Sequence, residues 1–167
     1  GRMGPVVRVE SMAQGNHHGV VAELAAREFS NLRGLLAGNP TLVLGLDGIQ
    51  DPQNLGAILR SADAAGVDGV VIPERRSAPV TGAVVKASSG ASEHVRLVRV
   101  SGMASAVSEI KRSGLWCVAL DVNGEMAPWA FDLTQPVGLV SGGGEGVPRV
   151  GRCRHRRAGS SGDQRER

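Results

Sequence analysis

Residues 42–66, LVLGLDGIQDPQNLGAILRSADAAG, constrain the fold more than any other stretch of the chain. The run opens with Leu42-Val43-Leu44-Gly45-Leu46, the length and composition of a buried strand, and that strand stops at Asp47-Gly48. A loop with turn chemistry follows, Gln50-Asp51-Pro52-Gln53-Asn54, in which proline fixes φ and the Asp and Asn side chains can bond their own backbone. Asn54 then reads as the N-cap of a helix, with Leu55, Ile58, Leu59, Ala62 and Ala65 on its apolar face and Gly66 as its stop. Gly56 in the first turn permits close approach of a ligand or of another backbone. Asn54 and Arg60 are six residues apart and so face different ways. Spacing alone favours a capping residue and a solvated arginine.

The remaining chain repeats this alternation. Gly69–Ile72, Val95–Val100, Leu115–Leu120 and Pro136–Val140 read as strands. Residues 21–38, Val80–Ala87 and Met103–Arg112 read as helices, with Ser88-Ser89-Gly90-Ala91 as a turn. Alternating strands and helices predict an α/β domain, a mostly parallel sheet with helices on both faces.

Charge is unevenly distributed. Residues 149–167 hold seven of the 19 Lys and Arg but two of the 16 Asp and Glu, so residues 1–148 carry 12 basic against 14 acidic side chains. A general positive field is excluded, and any nucleic-acid contact must come from local clusters or the tail. Arg75 and Arg76 form one such cluster, just after a strand, at the edge where open α/β sheets bind ligands. There they either clamp phosphate or are a solvated loop.

Cys117 in an apolar run and Cys153 in the polar tail have no metal-binding spacing. His17 and His18 lack a third ligand nearby, so the pair reads as a polar turn and no metal is expected. Without a long apolar segment or a signal-peptide pattern, the expected setting is cytoplasmic, away from membranes. Ser141-Gly142-Gly143-Gly144-Glu145-Gly146 follows the last strand, where glycines let backbone N–H groups approach a ligand. The dinucleotide fingerprint GxGxxG after the first strand is not matched.

Asn54-Leu55-Gly56-Ala57-Ile58-Leu59-Arg60, with Asp63-Ala64-Ala65-Gly66 behind it, resembles the first signature motif of the SpoU (TrmH) family of the SPOUT RNA methyltransferase superfamily. The similarity continues through Ile72-Pro73, Arg75-Arg76-Ser77 and Lys86–His94 to Asp121, and the wording is closest to bacterial 23S ribosomal RNA guanosine 2′-O-ribose methyltransferases. The resemblance implies an α/β trefoil-knot domain, S-adenosyl-L-methionine as cofactor, ribosomal or transfer RNA as substrate, and a homodimer. It assigns catalysis to Asn54, Arg60 and Glu145, and cofactor binding to Leu120, Gly142, Gly143, Gly144 and Gly146. RNA contacts fall to Arg60, Arg75, Arg76 and Lys86. The glycine loop departs from the second family motif by a one-residue shift around Glu145.

On this basis residues 1–20 are the remnant of an N-terminal RNA-binding domain, 21–40 a connecting helix and linker, and 41–148 the methyltransferase domain. Residues 149–167, RVGRCRHRRAGSSGDQRER, depart from the family, which continues with a third motif that completes the knot and the cofactor pocket. With so few apolar side chains this tail is expected to be disordered, leaving the knot incomplete. It is either a basic RNA-binding extension or a departure from the ancestral reading frame. The functional alternative is an inactive RNA-binding fragment with a SpoU-like body.

Overall fold

The computed structural model describes residues 29–121, 127, 130, 132–142 and 149–152. The chain forms α1 (Leu32–Leu36), β1 (Leu42–Asp47), α2 (Pro52–Ala64), β2 (Gly69–Pro73) and α3 (Gly82–Ala87). A 3₁₀ turn at Ala91–Glu93 leads to β3 (Leu97–Val100), α4 (Met103–Arg112), β4 (Trp116–Asp121), β5 (Val137–Gly142) and β6 (Arg149–Arg152).

The sheet has the order β3-β2-β1-β5-β4-β6. Its first five strands are parallel, and β6 runs antiparallel to β4. Alternation along the strands sends Val43, Val71 and Val98 to one face, where they pack with Leu32 and Leu35 of α1 and Met103, Ala106 and Ile110 of α4. Leu46, Val70, Ile72 and Leu97 face the other way, against Leu55, Leu59 and Ala62 of α2 and Val84 of α3. Helices on both faces of a mostly parallel sheet are what the sequence predicts. Each fully buried leucine, such as Leu55 or Leu59, contributes roughly 1.5–3 kcal/mol from apolar burial.

Several expectations are corrected. The helix read over 21–38 does not run through its described part: Ser30 is bridged to Val98, and α1 starts only after Asn31, whose side chain accepts a hydrogen bond from Gly34 N–H. Residues 21–28 and the N-terminal remnant 1–20, with its short β-like run at Val6–Val9, lie outside the described residues. The alternation of apolar and arginine residues that Val95–Val100 shows in sequence predicts a half-exposed strand, but in β3 Leu97 and Val98 are both buried, each under a helix-covered face. The apolar run Leu115–Leu120 predicts a buried strand, but Trp116 is 58% exposed: on its face of the sheet the described residues form a small cluster of Val118, Val137, Leu42, Leu120 and Leu139.

The segment expected to be disordered from residue 149 begins instead with β6, whose ladder pairs Val118–Asp121 with Arg149–Arg152. Strand pairing uses backbone groups that every non-proline residue carries, so an arginine-rich sequence can add an edge strand without filling a core. Residues 153–167 lie outside the described residues, and the expected trefoil crossing depends on chain beyond Gly142, of which only 149–152 are described.

Candidate functional site

The carboxyl ends of β1 and β5 meet at one point. Asp47 is paired with Gly142 and Leu46 with Ser141, while Leu120 of β4 lies opposite Ser141 on the other side of β5. From β1 the chain proceeds through α2 to β2 on one side; its other neighbour, β5, arrives from β4. The connections therefore diverge between β1 and β5, the kind of crevice in which open α/β sheets hold ligands. Two stretches singled out in the sequence, the β1–α2 loop and the start of the glycine run, are neighbours here. Gly142 is exposed, and among the described residues a Cβ built on it would meet the Asp47 carbonyl oxygen at 3.7 Å, ordinary van der Waals contact. Gly143, Gly144, Glu145 and Gly146 lie outside the described residues.

The local chemistry of the β1–α2 loop differs from the sequence reading in one respect. The N-cap of α2 is Asp51, not Asn54: Asp51 Oδ2 accepts from Asn54 N–H at 2.9 Å, and Pro52 occupies the first turn. Proline suits that position because its missing N–H has no intrahelical partner to lose. Asn54 is thus helical, and its side chain is released from capping and exposed in the first turn. Arg60, also exposed, sits about 9 Å further along the axis and about 120° round it. Asn54 and Arg60 therefore do not share a helix face.

Two further segments are held against this unit. Ala78 N–H donates to Ile49 carbonyl oxygen at 2.8 Å, tying the loop after β2, with Arg75 and Arg76, to the loop after β1. Both arginines are exposed, and Arg76 takes a left-handed conformation at φ 65°, uncommon for a residue with a side chain. The second contact is between helices. A Cβ built on Gly56 would collide with the Cβ of Ala87 and lie 2.9 Å from Ser88 N, so Gly56 serves close approach of another backbone. That crossing brings the end of α3, with exposed Lys86, beside the first turn of α2. The structure thus gathers Asn54, Lys86, Arg75 and Arg76 around the β1–α2 unit and places Leu120 and Gly142 at the adjoining strand ends.

Two features escaped the sequence reading. Ser77, inside the Arg75-Arg76-Ser77 loop, buries its hydroxyl oxygen with no hydrogen-bond partner among the described residues. Asp68 clasps the opposite edge of the sheet: its Oδ2 accepts from Leu42 N–H at 2.9 Å, from Thr41 N–H at 2.7 Å and from the Thr41 hydroxyl at 3.2 Å. Its own N–H returns a bond to the Leu42 carbonyl oxygen at 2.9 Å. The Leu42 donor above all, and the Thr41 donors with it, hold the Asp68 carboxyl below its ordinary value against an opposing effect of desolvation. Neither feature has a motif, because each depends on residues that only the fold brings together.

Among the described residues no group of three or more His, Cys, Asp or Glu side chains could hold a metal ion, and no helix is long and apolar enough to cross a membrane.

A protein of Staphylococcus saprophyticus assigned to the TrmH family of tRNA/rRNA methyltransferases is 38% identical over 152 residues, covering 87% of this chain and 61% of the relative. The chain therefore spans about three-fifths of the length of such relatives. An rRNA methyltransferase from Sinorhizobium meliloti superposes with a TM-score of 0.63 at 27% identity, over 73% of this chain and 48% of the other. The SpoU methyltransferase AviRb from Streptomyces viridochromogenes, solved in complex with the cofactor AdoMet, gives a TM-score of 0.55 at 27% identity, over 62% and 42% of the two chains. The profile of the SpoU rRNA Methylase family matches residues 41–152, from the start of β1 to the end of β6, and the chain belongs to that family.

Proposed function

We propose that this chain is an RNA 2′-O-ribose methyltransferase that uses S-adenosyl-L-methionine. The observation that carries this reading is the Asp47–Gly142 pairing, which sets the end of β1, from which the chain enters the helix of the first family motif, beside the beginning of the glycine loop where the sheet's connections diverge. The exposed strand end at Gly142 and the neighbouring Leu120 suit a ligand that takes backbone contacts, a role we extend to Gly143, Gly144 and Gly146, which follow in the sequence. When bound, the cofactor supplies an electrophilic methyl group on a sulfonium sulfur.

The chemistry required of the protein is activation and placement of a ribose 2′-hydroxyl. A bond would form between the 2′-oxygen and the methyl carbon as the sulfur–carbon bond breaks, its electron pair staying on sulfur to give S-adenosylhomocysteine, and the hydroxyl proton would pass to water. Arginine has a reference pKa of about 12.5 or above, which makes it a reluctant base. Arg60 therefore orients the hydroxyl and stabilises the developing alkoxide, with Asn54 positioning around it and Glu145 bonding polar groups from the glycine loop. Arg75, Arg76 and Lys86 are the phosphate contacts, all exposed on segments packed against the β1–α2 unit. The proposed substrate is a guanosine of ribosomal RNA, the working form a homodimer and the setting cytoplasmic.

Calorimetric titration of the purified chain with S-adenosylmethionine tests the cofactor half of this reading. Micromolar binding, with S-adenosylhomocysteine competing, is expected. A folded chain that binds neither ligand would instead favour an inactive RNA-binding protein with a SpoU-like body.

A further inference from the structure

The outer edge of the sheet carries an arrangement that the reaction does not account for. Arg99 of β3 lies with its guanidinium carbon 4.1 Å from the centroid of the Phe29 ring, close enough for cation–π stacking, and Arg99 itself is exposed. The edge is continuous with the arginine loop after β2: Ile72 is paired with Arg99 and Pro73 with Val100, and Glu74 N–H donates to Val100 carbonyl oxygen at 2.8 Å. Three arginines, 75, 76 and 99, thus lie on two adjoining segments, with Glu74 beside them in the loop, whereas Arg96, three residues before Arg99, belongs to the opposite face of the sheet. Residues 1–148 are otherwise slightly acidic, so this is a local positive strip.

The strip is poorly suited to a protein strand, because Ser30 already bridges Val98 and donates its N–H to Leu97 carbonyl oxygen at 2.9 Å. What it offers is side chains: cations for phosphates and a planar guanidinium, pre-oriented by Phe29, for stacking. We infer that the Phe29–Arg99 stack extends the RNA-contacting surface beyond the Arg75-Arg76 loop, holding single-stranded RNA that flanks the methylated nucleotide. The Arg99 guanidinium takes a phosphate at its edge and one base on its open face. This inference rests on the RNA-methyltransferase reading.

The test is fluorescence anisotropy of a labelled single-stranded RNA oligonucleotide against the full chain at several salt concentrations. The variants are Arg99→Ala, Arg99→Lys, Phe29→Ala and Arg75→Ala/Arg76→Ala, each checked for an unchanged melting temperature and for S-adenosylmethionine binding. Loss of one phosphate contact should lower the log–log salt slope by about 0.7. Arg99→Ala, which also loses the stacked base, should bind about five-fold or more weakly, whereas Arg99→Lys and Phe29→Ala should weaken binding with the slope retained. If Arg99→Ala binds within two-fold of the parent with the same slope while the Arg75/Arg76 variant weakens, the edge inference is overturned and the RNA reading stands. If the parent chain binds S-adenosylmethionine but no RNA, both are overturned.

Discussion

Gly56 of α2 and Ala87 of α3 meet so closely that a Cβ on Gly56 would collide with the Ala87 side chain and lie 2.9 Å from the Ala87 carbonyl carbon. The glycine in the first motif is thereby a packing requirement, because it lets α3 bring Lys86 beside the first turn of α2. Gly56→Ala should destabilise the fold by about 1–3 kcal/mol through overpacking against backbone that cannot move aside cheaply. Urea unfolding measures this, and Ala87→Gly in the same chain should recover part of the loss. A Gly56→Ala chain as stable as the parent would remove the packing explanation.

Asp51 takes the capping role that the sequence suggested for Asn54. Asp51→Ala should lower stability by about 1 kcal/mol, the usual worth of an N-cap. Asn54→Ala should leave the unfolding midpoint nearly unchanged and reduce methyl transfer. The opposite ranking in chemical denaturation would restore Asn54 as the cap.

Asp68 makes stability depend on pH in a defined direction. Its folded carboxyl is held below the ordinary carboxylate value of 3.8, so the unfolded chain binds the proton more readily. The contribution is complete above the unfolded pKa and is lost as pH falls through the folded one. Because Asp68 is exposed, solvent screening limits the effect to about 1 kcal/mol. Urea midpoints of the parent and Asp68→Asn should differ at neutral pH and approach each other as the pH falls through and beyond 3.8; parallel curves down to the acid limit would show that the clasp contributes nothing.

The sequence specifies the β1–α2 unit well because a buried strand, a proline turn and a period of three to four coincide within 25 residues. The strand read at Leu42–Leu46 ends one residue later, at Asp47, and α4 occupies the predicted Met103–Arg112. What it conceals depends on pairing. Asp and Asn both cap helices, so composition could not choose between residues 51 and 54, although Pro52 at the helix start was a usable signal. β6 was unreadable because Arg149–Arg152 has no apolar pattern and is held by its ladder to β4. At the site, Arg75 and Arg76 could be placed at the ligand edge from strand order, whereas Arg60 looked like any solvated helix arginine until its motif was considered. The Ile49–Ala78 and Asp47–Gly142 relationships join residues far apart in sequence, so only the folded sheet reveals that the two loops and the strand end at Gly142 share one corner.

The central claim is methyl transfer to a ribose hydroxyl with Arg60 at the reacting oxygen. The most direct measurement incubates the chain with methyl-labelled S-adenosylmethionine and ribosomal RNA transcripts, then digests the RNA to nucleosides and identifies the labelled product. The account predicts label in a 2′-O-methylated nucleoside, lost in Arg60→Ala while calorimetric binding of S-adenosylmethionine is retained. Label on a base, or single-turnover rates unchanged by Arg60→Ala, would contradict it.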